Sequence, residues 1–179
     1  TVSGLTEPFE INGIMLKGDS DGAGAYFKNC KQISLANLPE GTRHLELDDN
    51  EIVSLKNCEA TGIYIRRSTD VEVVNGKKGH LEIDQSTSKV TGATITTLDL
   101  RGNSNSAIVT RCKIGTLQMH DSSDDKGYVF FQNTIIEAYG HGNTYKKILL
   151  SYNKFRRIYF HDGGGELKLV GNIIDGDYN

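Results

Sequence analysis

The sequence predicts an all-β domain in which the chain winds into a coil stacked on itself about seven to eight times. Three observations carry this. The stretch VFFQNTIIEAYGH (129–141) overlays LLSYNKFRRIYFH (149–161) at an offset of 20 residues, with Asn on Asn, Tyr on Tyr and His on His. Apolar and polar residues alternate with period two in HLELDD, HLEID, LDLRG and ELKLV, the mark of short half-buried strands. Helical periodicity sustained over ten residues occurs nowhere. A coil of this kind cannot bury its apolar edge alone, so neighbouring coils must pair strand to strand, in parallel, around a narrow interior.

The elements follow from the repeat. Residues 1–24 form a lead-in segment or first coil, and 25–179 the coiled domain. With the motif Asn as position zero, the series runs Lys31, Asn50, Thr69, Ser88, Cys112, Asn133, Asn153, Asn172, at steps of 19 to 24 residues. Two residues after zero stand Ile33, Ile52, Val71, Val90, Ile114, Ile135, Phe155 and Ile174. From Ile52 onward these are expected to make one internal column. Val, Ile, Thr and Phe dominate the runs, as strand packing favours. Asn50, Asn133, Asn153 and Asn172 are expected at bends, where Asn tolerates a left-handed backbone. Their amides are expected to bond from coil to coil, satisfying groups otherwise buried unpaired. RGNSNS and DSSDDKG read as polar loops, and Lys77–Lys78 as a turn.

Composition bounds the function. The chain has 179 residues, enough for one domain with a core. A net charge of −3 leaves no electrostatic footprint for nucleic acid. No apolar run is long enough to insert in a membrane. Cys30, Cys58 and Cys112 fit no metal spacing and read as idle buried thiols. The start TVSGLTEPFE lacks an initiator Met and a signal-peptide pattern, and reads as an internal boundary of a longer protein.

Coil length, strand pattern and the four Asn turns resemble the right-handed parallel β-helix family of pectate-lyase-like proteins and bacteriophage tailspikes. The resemblance covers roughly 25–175 and is one of architecture. It carries no catalytic signature, and the calcium-binding GGxGxD repeat is absent. It implies a single-stranded right-handed parallel β-helix, a threefold homo-oligomer, and a place outside the cell or on a virion surface.

Two outward columns stand out in the C-terminal half. Six residues after zero come Gln118, Tyr139, Tyr159 and Tyr178; eight after zero come His120, His141 and His161. Adjacent coils lie about 4.8 Å apart, so these rings stack along the surface. In earlier coils Lys56 and Cys58, or Thr94 and Thr96, take these positions, which makes the columns local. Four readings stay open: surface cover, a polysaccharide-binding strip, an active site, or a metal site. As a strip, the rings pack on sugar, with Gln118, His120, Tyr139, His141, Tyr159, His161 and Asp162 as ligand contacts. As an active site, His141, Tyr139 and Tyr159 move protons beside a uronate carboxylate, which Arg157, Arg156 or Lys147 neutralises. Flat strands give poor tetrahedral geometry, so no metal and no cofactor are expected. Glu46 and Glu82, flanked by His44 and His80, are expected on one outward column two coils apart, as a solvated face.

The expected function is thus a β-helical domain that binds cell-surface or extracellular polysaccharide. A polysaccharide lyase, epimerase or hydrolase on the same scaffold and a ligand-free fibre subunit are the alternatives.

Overall fold

The computed structural model describes residues 1–16, 23–102, 104–120, 127–141, 144–160 and 164–176. Among the described residues, nineteen strands follow one another. In chain order they are β1 (Val2–Ser3), β2 (Phe9–Asn12), β3 (Ala23–Lys28), β4 (Gln32–Ala36), β5 (His44–Asp48) and β6 (Ile52–Lys56). Then come β7 (Ala60–Arg66), β8 (Asp70–Val74), β9 (Lys77–Asp84), β10 (Thr87–Thr91), β11 (Thr94–Arg101) and β12 (Ser106–Thr110). The last are β13 (Lys113–Met119), β14 (Tyr128–Phe131), β15 (Thr134–Gly140), β16 (Thr144–Ser151), β17 (Lys154–Phe160), β18 (Gly164–Val170) and β19 (Ile173–Ile174). No helix occurs among the described residues.

Odd-numbered strands build a ten-stranded sheet and even-numbered strands a nine-stranded one. Pairing is parallel throughout, each strand beside its equivalent one coil away. The chain is therefore an all-parallel β-solenoid of about seven turns. The period-two alternation turns Leu45, Leu47, Ile63, Ile65, Leu81 and Ile83 inward from one sheet. Val53, Leu55, Val71, Val73, Val109 and Phe130 face them from the other. Each such side chain contributes about 1.5–3 kcal/mol by leaving water. In the last coil Leu167, Leu169 and Ile174 keep the inward register of Ile148, Leu150 and Phe155. They stay exposed, since no described coil lies beyond them.

Two bends per coil separate the sheets, and this corrects the expected single column. Ile114, Ile135, Phe155 and Ile174 do align. Val71 and Val90 belong to the nine-stranded sheet, where Val71 meets Ser88 and Val90 meets Val73. Ile52 points outward, 38% exposed. The reason is the coil's own symmetry. Its two strands share one alternation, so a register slipped by half a coil still matches apolar to apolar. The long step from Ser88 to Cys112 hid such a slip. Lys113 pairs with Thr94, which puts Ala93 beside Cys112.

The Asn residues divide accordingly. Asn133, Asn153 and Asn172 stack at the bend that leads into the ten-stranded sheet. Asn133 Nδ2 donates to Asn153 Oδ1 (2.9 Å) and Asn153 Nδ2 to Asn172 Oδ1 (3.1 Å). Each amide also donates to a backbone carbonyl: Val109, Phe130 and Leu150, respectively. Asn50 sits at the opposite bend, where its Oδ1 accepts from Cys30 N and its Nδ2 donates to Phe27 O. Asn105, inside the stretch assigned to a loop, does the same there for Ser86 N and Ile83 O. The left-handed residue is the one before the ladder Asn: Asp49, Gln132 and Tyr152, with φ of 55°, 56° and 54°. A second Asn ladder has no counterpart among the sequence expectations. Asn12, Asn37, Asn57 and Asn75 are joined side chain to side chain along the outside of a bend.

The cysteines are free and buried. They take the same bend positions, with S–H in place of the amide: Cys58 Sγ donates to Leu35 O (3.1 Å) and Cys112 Sγ to Thr110 O (3.3 Å). Burial pushes both of these thiols up from their ordinary pKa. An aromatic disulfide reagent at pH 8 should therefore titrate no thiol in the native protein and three after denaturation. Rapid native reaction would contradict the packing. Lys78 corrects the turn assigned to Lys77–Lys78. Both residues begin β9, and Lys78 enters the interior column between Ala60 and Ile95.

Candidate functional site

The outer face of the ten-stranded sheet concentrates the chemistry. Register pairing draws three columns along it. The first reads Tyr26, Glu46, Tyr64, Glu82, Asp99, Gln118, Tyr139, Tyr159. The second reads His44, Gly62, His80, Thr97, Thr116, Glu137, Arg157. The third alternates in charge, Lys28, Asp48, Arg66, Asp84, Arg101. It passes into His120, whose N–H bonds Leu100 O, and His141, whose N–H bonds Met119 O.

Among the described residues, Tyr139 and Tyr159 do share one column and His120 and His141 another, but neither column is local. Upstream they continue as ionisable groups of this same sheet. Lys56 belongs to β6 of the other sheet, and Cys58 lies in a bend. Tyr139 and Tyr159 stack at 5.3 Å and 12°, Tyr139 and His141 at 5.9 Å and 9°, His120 and His141 at 5.5 Å and 28°. The Tyr139 and Tyr159 rings thus lie parallel one coil apart, with the His120 and His141 rings beside them. Arg157 donates to Glu137 Oε1 (3.2 Å). Tyr139 Oη donates to Glu137 Oε2 (3.0 Å), and that bond, with desolvation behind it, raises the phenol's pKa. Gln118 holds its expected place. Lys147 pairs with Glu166 on the nine-stranded sheet, away from Arg156 and Arg157. His161, Asp162 and Tyr178 lie outside the described residues.

The middle of the face holds a cluster that sequence inspection only half saw. Glu46 and Glu82 do share a column two coils apart, with Tyr64 between them. Tyr64's ring stands between His44 (5.7 Å) and His80 (5.5 Å). Gly62 makes the room, because a Cβ there would lie 3.1 Å from Tyr64 Cε2 and 3.0 Å from His44 Cδ2. The neighbour of Glu82 is Asp99, unnoticed in LDLRG, and Asp99 is fully buried. Arg66 Nε donates to Glu82 Oε1 (3.1 Å), and Arg101 Nε donates to Asp99 Oδ2 (2.8 Å). Arg101 also reaches toward Glu82, 3.8 Å away. Desolvation, and then the Glu82 charge, push Asp84 up from the usual carboxylate range. The missing signal was the register. LDLRG shows its alternation, but only the true pairing sets Asp99 against Glu82.

No protein-family model, no curated protein and no solved structure matches this chain at a significant level.

Proposed function

We propose that the outer face of the ten-stranded sheet binds an extended cell-surface or extracellular polysaccharide, lying along the solenoid axis, as in the tailspikes the sequence resembles. One observation carries the reading. All four histidines with described positions, and Tyr26, Tyr64, Tyr139 and Tyr159, line this one face. The opposite outer face presents Ser34, Ser54, Glu72, Lys89, Ile108, Val129 and Leu149 in register. A row of phenols and imidazoles, interleaved with carboxylates and guanidinium groups, matches a polymer whose every unit offers hydroxyls. Recognition rests on hydrogen bonds from these side chains, together with the packing of ring faces on sugar expected from the sequence. The resemblance adds a threefold homo-oligomer and an extracellular or virion-surface setting to the proposal. No helix among the described residues is long and apolar enough to cross a membrane.

Cleavage of the bound polymer is the second reading, favoured by Glu82 and Asp99. Ligand atoms of these two carboxylates lie within 4.8 Å of each other. Retaining glycosidases use a separation of about 5 Å. Binding is preferred because both carboxylates are already engaged, Glu82 by Arg66 and Asp99 by Arg101. Tyr139, considered for proton transfer, is likewise engaged, its Oη donating to Glu137 Oε2.

A panel of acidic and neutral polysaccharides, with sizing of both protein and sugar, tests the readings together. Expected is complex formation with one class of polymer, no shortening of the sugar, and a roughly five- to tenfold loss of affinity in Tyr159→Ala, the scale of one or two hydrogen bonds. Shortened sugar, abolished by Asp99→Asn, would establish the enzyme. Absence of binding across the panel would leave a fibre subunit. Elution of the free chain as a monomer at all concentrations would remove the trimer.

A further inference from the structure

We propose that His80, Glu82 and Asp99 form a binding site for a divalent first-row transition ion of the Zn²⁺ class, with His120 as the adjoining fourth donor. The inference does not depend on the polysaccharide reading. One ligand atom from each of His80, Glu82 and Asp99 lies within 4.8 Å of the others. They come from β9 and its neighbour β11, so the sheet's own hydrogen bonds hold their spacing.

A second observation points to a missing positive centre. Asp99 is fully buried, yet its Oδ1 has no hydrogen-bond partner among the described residues. His120 Nε2 is likewise a buried atom without one. The two stand 3.1 Å apart, the distance of an ion pair, but too poorly aligned for a hydrogen bond. Buried polar atoms left in this state cost stability, and each such case in a native fold calls for a cause. A cation held by Asp99 Oδ1 with His80 and Glu82 gives that buried oxygen a partner, and His120 Nε2 adjoins it 3.1 Å away.

The surroundings fit a metal's outer shell. Arg101 holds Asp99 Oδ2 and Arg66 holds Glu82 Oε1, which leaves Asp99 Oδ1 for an ion and Glu82 Oε2 without a hydrogen bond among the described residues, 3.8 Å from Arg101 Nη1. Such outer partners orient ligand carboxylates. Two guanidinium groups, Arg66 and Arg101, offset part of the charge of Glu82, Asp99 and the neighbouring Asp84, so an arriving cation meets a partly compensated cluster. The donor set names the class. Imidazole nitrogen mixed with carboxylate oxygen suits Zn²⁺ and its first-row neighbours. Ca²⁺ and Mg²⁺ take oxygen ligands.

The test is calorimetric titration of chelator-treated chain with Zn²⁺ at pH 7.5, with Ca²⁺ and Mg²⁺ in parallel. Expected is uptake of one Zn²⁺ per chain at this site, a raised unfolding midpoint with the ion present, and at least tenfold weaker binding in both His80→Ala and Asp99→Asn. Circular dichroism checks that each variant is folded. Should Asp99→Asn unfold because Arg101 loses its partner, the partly exposed His80 decides alone. No Zn²⁺ uptake would overturn the site. So would uptake unchanged in His80→Ala, which would assign the ion to other surface histidines, or equally tight Ca²⁺ binding.

Discussion

Replacing Asn153 by Leu is expected to destabilise the solenoid by about 2–4 kcal/mol. The side chain is 1% exposed and bonded in four directions. Its Oδ1 accepts from the Asn133 backbone N–H (2.9 Å) and from Asn133 Nδ2. Its Nδ2 donates to Phe130 O (3.0 Å) and to Asn172 Oδ1. Leucine removes all four bonds. Asn133 Nδ2 keeps Val109 O, and Asn172 Oδ1 keeps the residue-153 N–H. The Asn133 N–H and the Phe130 carbonyl lose these partners in a buried bend. Each such orphan costs about 1–3 kcal/mol, and partial relaxation brings the sum to the stated range. Urea unfolding at pH 7 measures it. A midpoint equal to wild type would mean that the ladder contributes nothing to stability.

Lys78→Met is expected to stabilise the protein at neutral pH, with a gain that vanishes in alkali. Lys78 is fully buried and donates from Nζ to the carbonyls of Cys58 and Asn75. Burial lowers its pKa from 10.5 to about 8. Between those values the unfolded chain holds a proton that the folded chain has released. Unfolding therefore costs more as pH rises through that window, and below it the buried charge is a standing penalty of about 3 kcal/mol. Methionine fills a similar volume without charge but leaves two carbonyls without the ammonium. The net gain at pH 7 is about 1–2 kcal/mol. Raised thiol pKa values at Cys58 and Cys112 act in the opposite sense above pH 9, since the unfolded chain loses those protons first. The quantity to follow is therefore the difference between variant and wild type, at pH 7 and again near pH 10. A difference independent of pH would show that the ammonium carries no charge penalty inside the fold.

Both residues show what could be seen in one dimension. Asn153 was legible because its role repeats: the same residue, flanked by the same apolar neighbours, returns at Asn133 and Asn172. Lys78 was not. It occupies an inward position of a strand, but a lysine beside another lysine, before a glycine, has the composition of a turn. Asn105 was hidden in the same way within RGNSNS. The outward Tyr and His rows were found because like residues stack on like. The charged row upstream was missed because opposite charges, not equal residues, alternate from Asp48 to Arg101.

The sequence by itself determined the class of fold. Alternation with period two, repeated about every twenty residues, leaves stacked parallel coils as the way to bury every apolar edge, and no particular pairing is needed to see it. Tertiary structure alone decided the phase. A coil with two nearly equivalent strands can be aligned on itself at either bend with its apolar residues still matched. Hydrophobic burial is non-directional and does not discriminate between the two alignments. The backbone hydrogen-bond register does. It places Asn50 and Asn133 on opposite edges of the solenoid, sets Asp99 beside Glu82, and gathers His80 and His120 around a carboxylate that the linear sequence separates from them by 19 and 21 residues.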